Sequence, residues 1–362
     1  KNIFSSQTKK YVNKFISLEK NINATIIEVH NRPSYIHILN KKNNKKIYTL
    51  FFHNDPLSMD GSKTIVERKL LLKKCYKIIF NSSWSKKRFL EGLENKFINS
   101  NKLLIFYQSA TKGSLSTIKN KQKWITFVGK LNKAKGYDIF AKAIKKILNK
   151  NKNWKALIIG DEKREKIELK HKNAKILGFK KHNQVLNIFK KTSITVACSR
   201  WEEPFGRTSL EASANGCAVV ITNRGGLPET VTDAVILSKL NVKELVKIIQ
   251  NLINNPNRRK KLQELSIKNF YLTHQFVTNK IDKYRSEKLD RNLKFFTNLK
   301  NKSLRILHVT NFNERLDGRL FFNTGRRINN GFIRLGHSVL GFSDRDVQKY
   351  YKSLNDYKGA KT

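Results

Sequence analysis

Two glutamates with seven residues between them, Glu203 and Glu211, flank a glycine turn and are the residues of this 362-residue chain best suited to chemistry. Gly206 permits a tight turn with exposed backbone amides. The residues after it predict the start of a helix, where unsatisfied N–H groups and the positive end of the helix dipole favour a phosphate. Glu211 lies on that helix, suited to accept hydrogen bonds from a ribose diol, and Glu203 can face the other end of the same ligand. The segment predicts a pocket for a phosphorylated nucleoside.

Short apolar runs alternate with amphipathic helical stretches up to about Val242, which is typical of a parallel α/β fold. A first set of strands is followed by a polar stretch, Lys112 to Lys123, which predicts an interdomain linker, and by a second set from Trp124. Two facing Rossmann-like domains would place a ligand cleft where the carboxyl ends of their strands converge. The predicted strands are Thr25 to His30, Ile47 to His53, Lys77 to Asn81, Lys102 to Phe106, Trp124 to Val128, Trp154 to Ile159, Lys175 to Leu177, Ile194 to Ala197 and Ala218 to Thr222.

The last third of the chain changes pattern twice. It is predicted to be helical almost to Leu299, with one break at Pro256. A strand from Leu304 to Thr310, a helix from Arg326 to Leu335 and a strand from Val339 to Phe342 then follow. A β-α-β unit cannot bury a core alone, so this tail is either an incomplete second module or part of the first domain.

The motif around the two glutamates resembles the signature of family 4 retaining glycosyltransferases, with Pro-Phe-Gly between the carboxylates and Glu-Ala at its end. Several motifs in the family order make the resemblance specific. It covers most of residues 24–290. The further matching segments are Phe127-Val-Gly-Lys-Leu131, Lys135-Gly136, Leu157-Ile-Ile-Gly160, Leu177-Gly-Phe179, Gly216-Cys-Ala-Val-Val220 and Gly225-Gly-Leu-Pro-Glu229.

The fold that this resemblance implies is α/β of the GT-B kind, with two facing Rossmann-like domains, the first lacking its N-terminal elements, plus a C-terminal β-α-β fragment. The expected domains are an acceptor-side domain over residues 1–121, a nucleotide-sugar donor domain over 122–270, C-terminal helices over 271–299 and the start of a second glycosyltransferase-like domain over 303–362. A fragment of a tandem protein explains this order. The rival explanation is a circular permutation in which the tail completes the first sheet, and flanking sequence would distinguish the two.

The resemblance assigns roles position by position. Lys130, where the family usually has Arg, and Lys135 would bind the donor diphosphate, although a lysine lacks the bidentate fork of arginine. Arg207 replaces an apolar family residue and is expected to contact phosphate or acceptor. The expected donor-binding residues are Lys130, Lys135, Phe205, Gly206, Arg207, Thr208 and Glu211, with backbone amides around Phe205 to Thr208 holding phosphate and Glu211 holding the ribose.

Two residues are expected to be catalytic. Glu203 would contact the hydroxyls of the donor sugar, and His53, at the end of a strand, matches a family histidine near the reacting carbon. His30, which ends the preceding strand, is a weaker candidate, and Ser82 with Ser83 predicts a helix cap. Because the leaving group is a nucleoside diphosphate, stabilising its developing charge should dominate catalysis.

The resemblance further implies retention at the anomeric carbon by front-face attack, a nucleoside diphosphate sugar as donor, a glycan or lipid-linked acceptor, no cofactor and no obligate metal. The expected setting is the assembly of cell-surface polysaccharide or lipopolysaccharide. Asp344-Arg-Asp346 has the spacing of a metal-binding motif, but its place after the tail's second strand favours a chance occurrence. A phosphorylase or a nucleotide-sugar epimerase on the same scaffold is a further enzyme hypothesis. A pyridoxal-binding lysine would favour the phosphorylase, and the sequence shows no pattern for one.

The formal net charge of +47 raises a non-enzymatic alternative, a basic protein that binds nucleic acid or a membrane surface. Most of the basic residues are lysines scattered along the chain, whereas nucleic-acid binders concentrate arginine and aromatic residues on one element. Specific nucleic-acid binding is therefore not expected, and peripheral contact with an anionic membrane is left open. No apolar run approaches the roughly 18 residues of a membrane span. Three cysteines without metal-ligand spacing indicate a reduced, cytoplasmic setting. The expected location is the cytoplasm, including the inner face of the cell membrane.

Overall fold

The computed structural model of the chain describes residues 7–22, 24–43, 46–165, 167–292, 303–310, 312 and 324–343. The chain forms two compact units. Unit 1 comprises residues 1–106 and 280–362, and unit 2 comprises residues 107–279. The sequence Asp344-Arg-Asp346 lies outside the described residues. No helix in the described part of the chain is long and apolar enough to cross a lipid bilayer.

Unit 1 is built on a six-stranded sheet in which every neighbouring pair of strands is parallel, with the order β12-β11-β1-β2-β3-β4. Strands β1 and β2 are buried over their whole length, as expected where helices cover both faces of a parallel sheet. The strands are β1 (Ile26–His30), β2 (Tyr48–Phe52), β3 (Lys77–Phe80), β4 (Leu103–Ile105), β11 (Arg305–Thr310) and β12 (Ser338–Ser343), and the helices are α1 (Gln7–Ile22), α2 (Pro33–Lys42), α3 (Ile65–Lys74), α4 (Ser83–Leu90) and α11 (Thr324–Arg334).

The C-terminal tail extends the first sheet. Strand β11 pairs with β1 in parallel, so that Glu28 lies opposite His308. Without this pairing, one edge of the buried strand β1 would be open, and the buried run in β11 covers that edge. The tail was expected as a separate β-α-β fragment, the start of a second domain; in the structure it is the outer part of the first sheet, the arrangement that the permutation account describes. The tandem account stays a prediction for flanking sequence.

Unit 2 is built on a second six-stranded parallel sheet with the order β10-β9-β8-β5-β6-β7. Helix α5 packs against α8, and its buried residues include Tyr137, Phe140, Ile144 and Ile147, whose spacing is that of one helix face. The strands are β5 (Gln122–Val128), β6 (Lys155–Ile159), β7 (Ala174–Ile176), β8 (Thr192–Ala197), β9 (Ala218–Thr222) and β10 (Ala234–Leu237), and the helices are α5 (Tyr137–Lys150), α6 (His182–Lys191), α7 (Arg207–Ala214), α8 (Val242–Asn254) and α9 (Pro256–Lys268). Helix α10 (His274–Asn292) begins in unit 2 and continues in unit 1.

The stretch predicted as a linker packs as part of unit 2. Ile118 is buried, and Lys121 donates from Nζ to the carbonyl oxygens of Phe189 at 2.8 Å and Asn215 at 2.7 Å. These contacts place the boundary between the units after Phe106 rather than after residue 121. The polar composition of the stretch predicted a linker. The carbonyl groups that accept hydrogen bonds from its lysine belong to distant residues, and the sequence does not reveal those contacts.

The predicted cap of α4 is confirmed. Ser82 is the N-cap residue, and its hydroxyl accepts a hydrogen bond from the backbone N–H of Ser85 at 3.0 Å. This removes one of the unsatisfied donors at the helix start. Ser82 therefore has a structural role in the structure, as the sequence indicated.

Candidate functional site

The chain order in the sheet of unit 2 reverses between β5 and β8, since β6 and β7 follow on one side and β9 and β10 on the other. Ligands of open α/β sheets bind at such a switch point, beyond the carboxyl ends of the strands. Two loops leave the sheet there, one from β5 to α5 and one from β8 to α7. These loops and the start of α7 bring together most of the residues predicted to bind a donor.

The turn before α7 has the conformation that its glycine predicts. Gly206 is the N-cap residue with φ +116°, and a side-chain Cβ there would lie 2.5 Å from Leu227 Cδ2. Phe205 is buried and stacks on Tyr107 with ring centroids 5.8 Å apart. Thr208, in the first turn, donates to the Val128 carbonyl at 3.3 Å. The helix start is thereby fixed at the carboxyl end of β5, where its unsatisfied amides suit an anion.

Glu203 and Lys135 form an ion pair across the two loops. Lys135 Nζ lies 2.5 Å from Glu203 Oε1, and the same ammonium lies 5.2 Å from the centroid of the half-exposed Trp201 ring. The Glu203 backbone is held as well, because its carbonyl accepts from the Gly226 N–H at 2.6 Å. The pair therefore places one carboxylate and one cation, both reachable by solvent, within one hydrogen bond of each other.

Glu211 is almost fully buried and accepts two hydrogen bonds at the same oxygen. Arg207 Nη2 lies 2.5 Å from Glu211 Oε1, and His182 Nε2 lies 3.1 Å from it. Burial alone would raise the pKa of the Glu211 carboxyl, but the Arg207 charge and the His182 hydrogen bond outweigh it and the pKa is lowered. Glu211 is thus held ionised at neutral pH, in the form that can accept from hydroxyl groups.

Lys130, the remaining predicted donor ligand, follows β5 and Gly129. Its side chain is exposed, and the structure gives it no hydrogen bond or ion pair among the described residues. It lies on the same loop as Lys135. Its charge is therefore available at the switch point without a protein partner to displace.

A second cluster lies in unit 1 and contains the predicted catalytic residue His53. His53 Nε2 and His30 Nδ1 are 2.9 Å apart, so that one ring donates to the other. The His308 ring meets His30 edge-on with centroids 5.0 Å apart. Burial lowers the pKa of His53 to about 4 and of His308 to about 3 and, with the neighbouring histidines and Arg285, lowers that of His30 well below its usual value. The three imidazoles are therefore neutral at physiological pH.

A buried ion pair adjoins these rings. Arg285 of α10 binds the Glu28 carboxylate of β1 in a bidentate manner, at 2.9 Å from Nε and 2.8 Å from Nη2. Both side chains are almost completely buried. The Arg285 guanidinium also lies over the Phe332 ring, 4.0 Å from its centroid. This pairing attaches α10 to β1.

The backbone next to His30 is unusual. Asn31 has φ +56° and is the one non-glycine residue with positive φ in the described ranges. Its side-chain oxygen accepts from the His53 N–H at 2.7 Å, and Asn81 donates to the His53 carbonyl at 3.0 Å. Left-handed residues that side chains hold in place concentrate at functional sites. Polar groups therefore fix the strand end that carries His53 on both sides.

The structure places Lys135 against Glu203 and Arg207 against Glu211, all four of them predicted site residues, and adds His182, which the sequence analysis did not single out. A lone histidine at the start of a helix carries no pattern that links it to a glutamate 29 residues later. The same holds in unit 1 for Arg285, 257 residues from Glu28. Only the ends of neighbouring strands gave a usable signal, and that signal identified His53 and His30 as candidates.

The class of protein follows from the architecture. The structure resembles that of Anabaena Alr3699/HepE, solved in complex with UDP-glucose, with a TM-score of 0.63 and 17% sequence identity over 76% of this chain and 82% of that one. Such an identity establishes the fold alone. Two parallel six-stranded sheets with helices, matching this structure, define the GT-B class.

Sequence comparison relates part of the chain to a group of enzymes. Residues 114–269 match the family model described as glycosyl transferases group 1. The chain is 24% identical to spore coat protein SA of Bacillus subtilis over 67% of its own length and 72% of that protein. It is 31% identical to the lipopolysaccharide core biosynthesis mannosyltransferase LpsB of Rhizobium meliloti, over 31% of this chain and 34% of that one. The match of residues 114–269 to this family model and the mannosyltransferase relative support a transferase enzyme, and the alternative of a basic binding protein without enzyme activity is not favoured.

Proposed function

We propose that the chain transfers a sugar from a nucleoside diphosphate sugar, bound at the switch point of unit 2, to a glycan or lipid-linked acceptor, with retention of anomeric configuration. The observation that carries the proposal is the pair of largely buried glutamates, Glu203 and Glu211, each held by a cation on either side of the Gly206 turn. Cell-surface polysaccharide or lipopolysaccharide assembly is the proposed setting, which the names of spore coat protein SA and LpsB support.

The charges around the turn suit a nucleoside diphosphate. Lys130, Lys135 and the amides at the start of α7 would neutralise the diphosphate and the charge that develops on it as the sugar leaves. Glu211 would accept from the ribose diol, and Glu203 from hydroxyls of the sugar. Because Lys135 and Arg207 each pair with a carboxylate, each would exchange that carboxylate for a phosphate oxygen when the donor binds.

The catalytic roles predicted for Glu203 and His53 belong to the same proposal. Both residues end or follow strands at the carboxyl edge of their sheets. Neutral His53, with its low pKa, would act as a hydrogen-bonding group rather than as a cation. The proposal needs neither a cofactor nor an obligate metal, because lysines and a helix start supply the positive charge.

Nucleotide binding tests the first half of the proposal. A panel of nucleoside diphosphates and their glucose, galactose, mannose and N-acetylglucosamine conjugates should include one base series that raises the unfolding temperature, because a ligand at 100 times its Kd stabilises by about 2.7 kcal/mol. Glu211→Ala should abolish the shift. Glu168→Ala is the matched control, since Glu168 is an exposed glutamate of unit 2 with one surface ion pair. Equal shifts for wild type and Glu211→Ala would contradict the proposed pocket.

Turnover tests the second half. With the donor that stabilises best, release of the nucleoside diphosphate should depend on an added acceptor, and the anomeric proton coupling of the product should match that of the donor. Glu203→Gln and His53→Ala should each lower kcat by at least about tenfold while the nucleotide still binds. An inverted product would contradict retention, and nucleotide-insensitive, salt-sensitive binding to DNA or anionic vesicles would favour the basic-protein alternative.

A further inference from the structure

His182 has a defined place beside the proposed ribose site. It is the first residue of α6, whereas Glu211 and Arg207 lie one turn apart on α7. The His182 side chain is only 12% exposed, and its Nε2 lies 3.1 Å from Glu211 Oε1. The contact therefore joins two helices at the carboxylate on which the pocket depends.

The chemistry of the pair fixes the tautomer of His182. Glu211 is ionised, and an ionised carboxylate accepts hydrogen bonds but does not donate them. His182 Nε2 must therefore carry a hydrogen and donate it. Arg207 competes for the same carboxylate oxygen, but a guanidinium at a helix start can turn toward the phosphates of a ligand. His182 is the donor that can stay with Glu211 after Arg207 has left.

We propose that His182 is a positioning residue for donor recognition, because it orients the Glu211 carboxylate to accept hydrogen bonds from both ribose hydroxyls. The pocket thereby binds ribonucleotides more tightly than 2′-deoxyribonucleotides. This inference rests on the proposed function of the site. A carboxylate has about four acceptor positions, so Glu211 can hold the His182 hydrogen bond and a ribose diol together. A 2′-deoxyribose cannot donate one of these hydrogen bonds to the buried Glu211 carboxylate. An unmade hydrogen bond to a buried charged group strongly weakens binding of the ligand that lacks the hydroxyl.

The test compares dissociation constants for matched pairs of ribo- and 2′-deoxyribonucleoside diphosphates by calorimetry, using the base that the thermal-shift panel selects. For the wild type, the 2′-deoxy ligand should bind at least about tenfold more weakly, the size expected for a hydrogen bond to a charged group. His182→Ala should reduce this ratio to below about threefold. His182→Gln, whose amide can donate to the same oxygen, should restore most of it.

Two controls separate positioning from folding. His171→Ala removes a histidine of the same unit that is also hydrogen-bonded, to Asn149 at 3.2 Å, but outside the pocket, and it should leave the ratio at the wild-type value. A variant that only destabilises the fold lowers the active fraction for both ligands and leaves their ratio unchanged. A wild-type ratio in His182→Ala, with nucleotide binding intact, overturns this inference alone. A wild type that binds no nucleoside diphosphate overturns the proposed function instead.

Discussion

The proposed donor pocket of unit 2 and the histidine cluster of unit 1 differ in how their charges are balanced. In the pocket, Glu203 is paired with Lys135, and Glu211 is paired with Arg207 and His182, which lower the pKa of its carboxyl. In the cluster, burial keeps the imidazoles neutral, and the ion pair of Glu28 with Arg285 is closed to solvent. A region that exchanges ion pairs with a ligand needs accessible charges, whereas a buried region must satisfy its charges internally.

The buried pair should give the largest effect. Arg285→Met would leave the Glu28 carboxylate unpaired in the sheet, and removing one partner of a buried pair costs about 3–5 kcal/mol. Urea unfolding at pH 7.5, followed by circular dichroism, should show this loss of unfolding free energy. Combining Glu28→Gln with Arg285→Met removes the charge and should recover part of it. An unfolding free energy of Arg285→Met within about 1 kcal/mol of the wild-type value would show that the pair does not stabilise unit 1.

The backbone of the proposed donor pocket should be the next most sensitive feature. Gly225 has φ +58°, and a Cβ there would collide with the backbone of Glu203. Gly225→Ala should cost about 2–3 kcal/mol of unfolding free energy, because left-handed strain adds to the displacement, and should weaken nucleotide binding. Gly178→Ala is the matched control, since Gly178 has φ +64° and open space around its Cβ position. This variant should lose only the unfolding free energy that left-handed strain costs, about 1 kcal/mol. Equal losses for the two variants would show that the collision at Gly225 is relieved without cost.

The neutral histidines predict a loss of stability in acid. In the unfolded chain a histidine takes up a proton near pH 6.5, whereas folded His53 does so only near pH 4 and His308 near pH 3. The unfolded state thus binds more protons below pH 6.5, so stability is complete above that pH and falls as the pH drops toward 4. Each such histidine contributes a slope of up to about 1.4 kcal/mol per pH unit. Unfolding free energies measured at intervals from pH 7.5 to 5 should show it.

The variant His308→Gln tests how much of the pH dependence of the unfolding free energy comes from one histidine. His308→Gln removes one titrating group, whose Nδ1 lies 3.2 Å from the Asn329 amide oxygen. The slope between pH 6 and 5 should then decrease by about 1.4 kcal/mol per pH unit, whatever the variant costs at pH 7.5. His171→Ala, in unit 2, removes a much more exposed histidine and should change the slope far less. An unchanged slope in His308→Gln would mean that this imidazole is not held neutral by burial.

The two regions also differ in how far the sequence predicts them. The pocket comes from local motifs, since Arg207 and Glu211 share one helix and Gly206 fixes its start, so their proximity follows from helical spacing. The cluster depends on pairing between distant strands, because His308 reaches His30 only when β11 lies beside β1. The sequence showed that the tail is a strand, a helix and a strand but not which edge they join. The boundary after Phe106 and the contact of His182 with Glu211 were missed for the same reason.

The smallest expected effect sharpens the assignment of the diphosphate end. Lys130 is exposed and stands where the resemblance expects arginine, whose planar fork binds phosphate oxygens in a bidentate manner. Lys130→Arg should therefore tighten binding of a nucleoside diphosphate by about fivefold, or roughly 1 kcal/mol, and change binding of the nucleoside itself little. Lys133→Arg, an exposed lysine of the same loop, should leave both affinities unchanged. Both variants keep the net charge, so a tightening by both would reflect a general gain from arginine on this loop rather than a specific contact at position 130. A tightening by neither would indicate that Lys135 and the start of α7, not Lys130, contact the diphosphate.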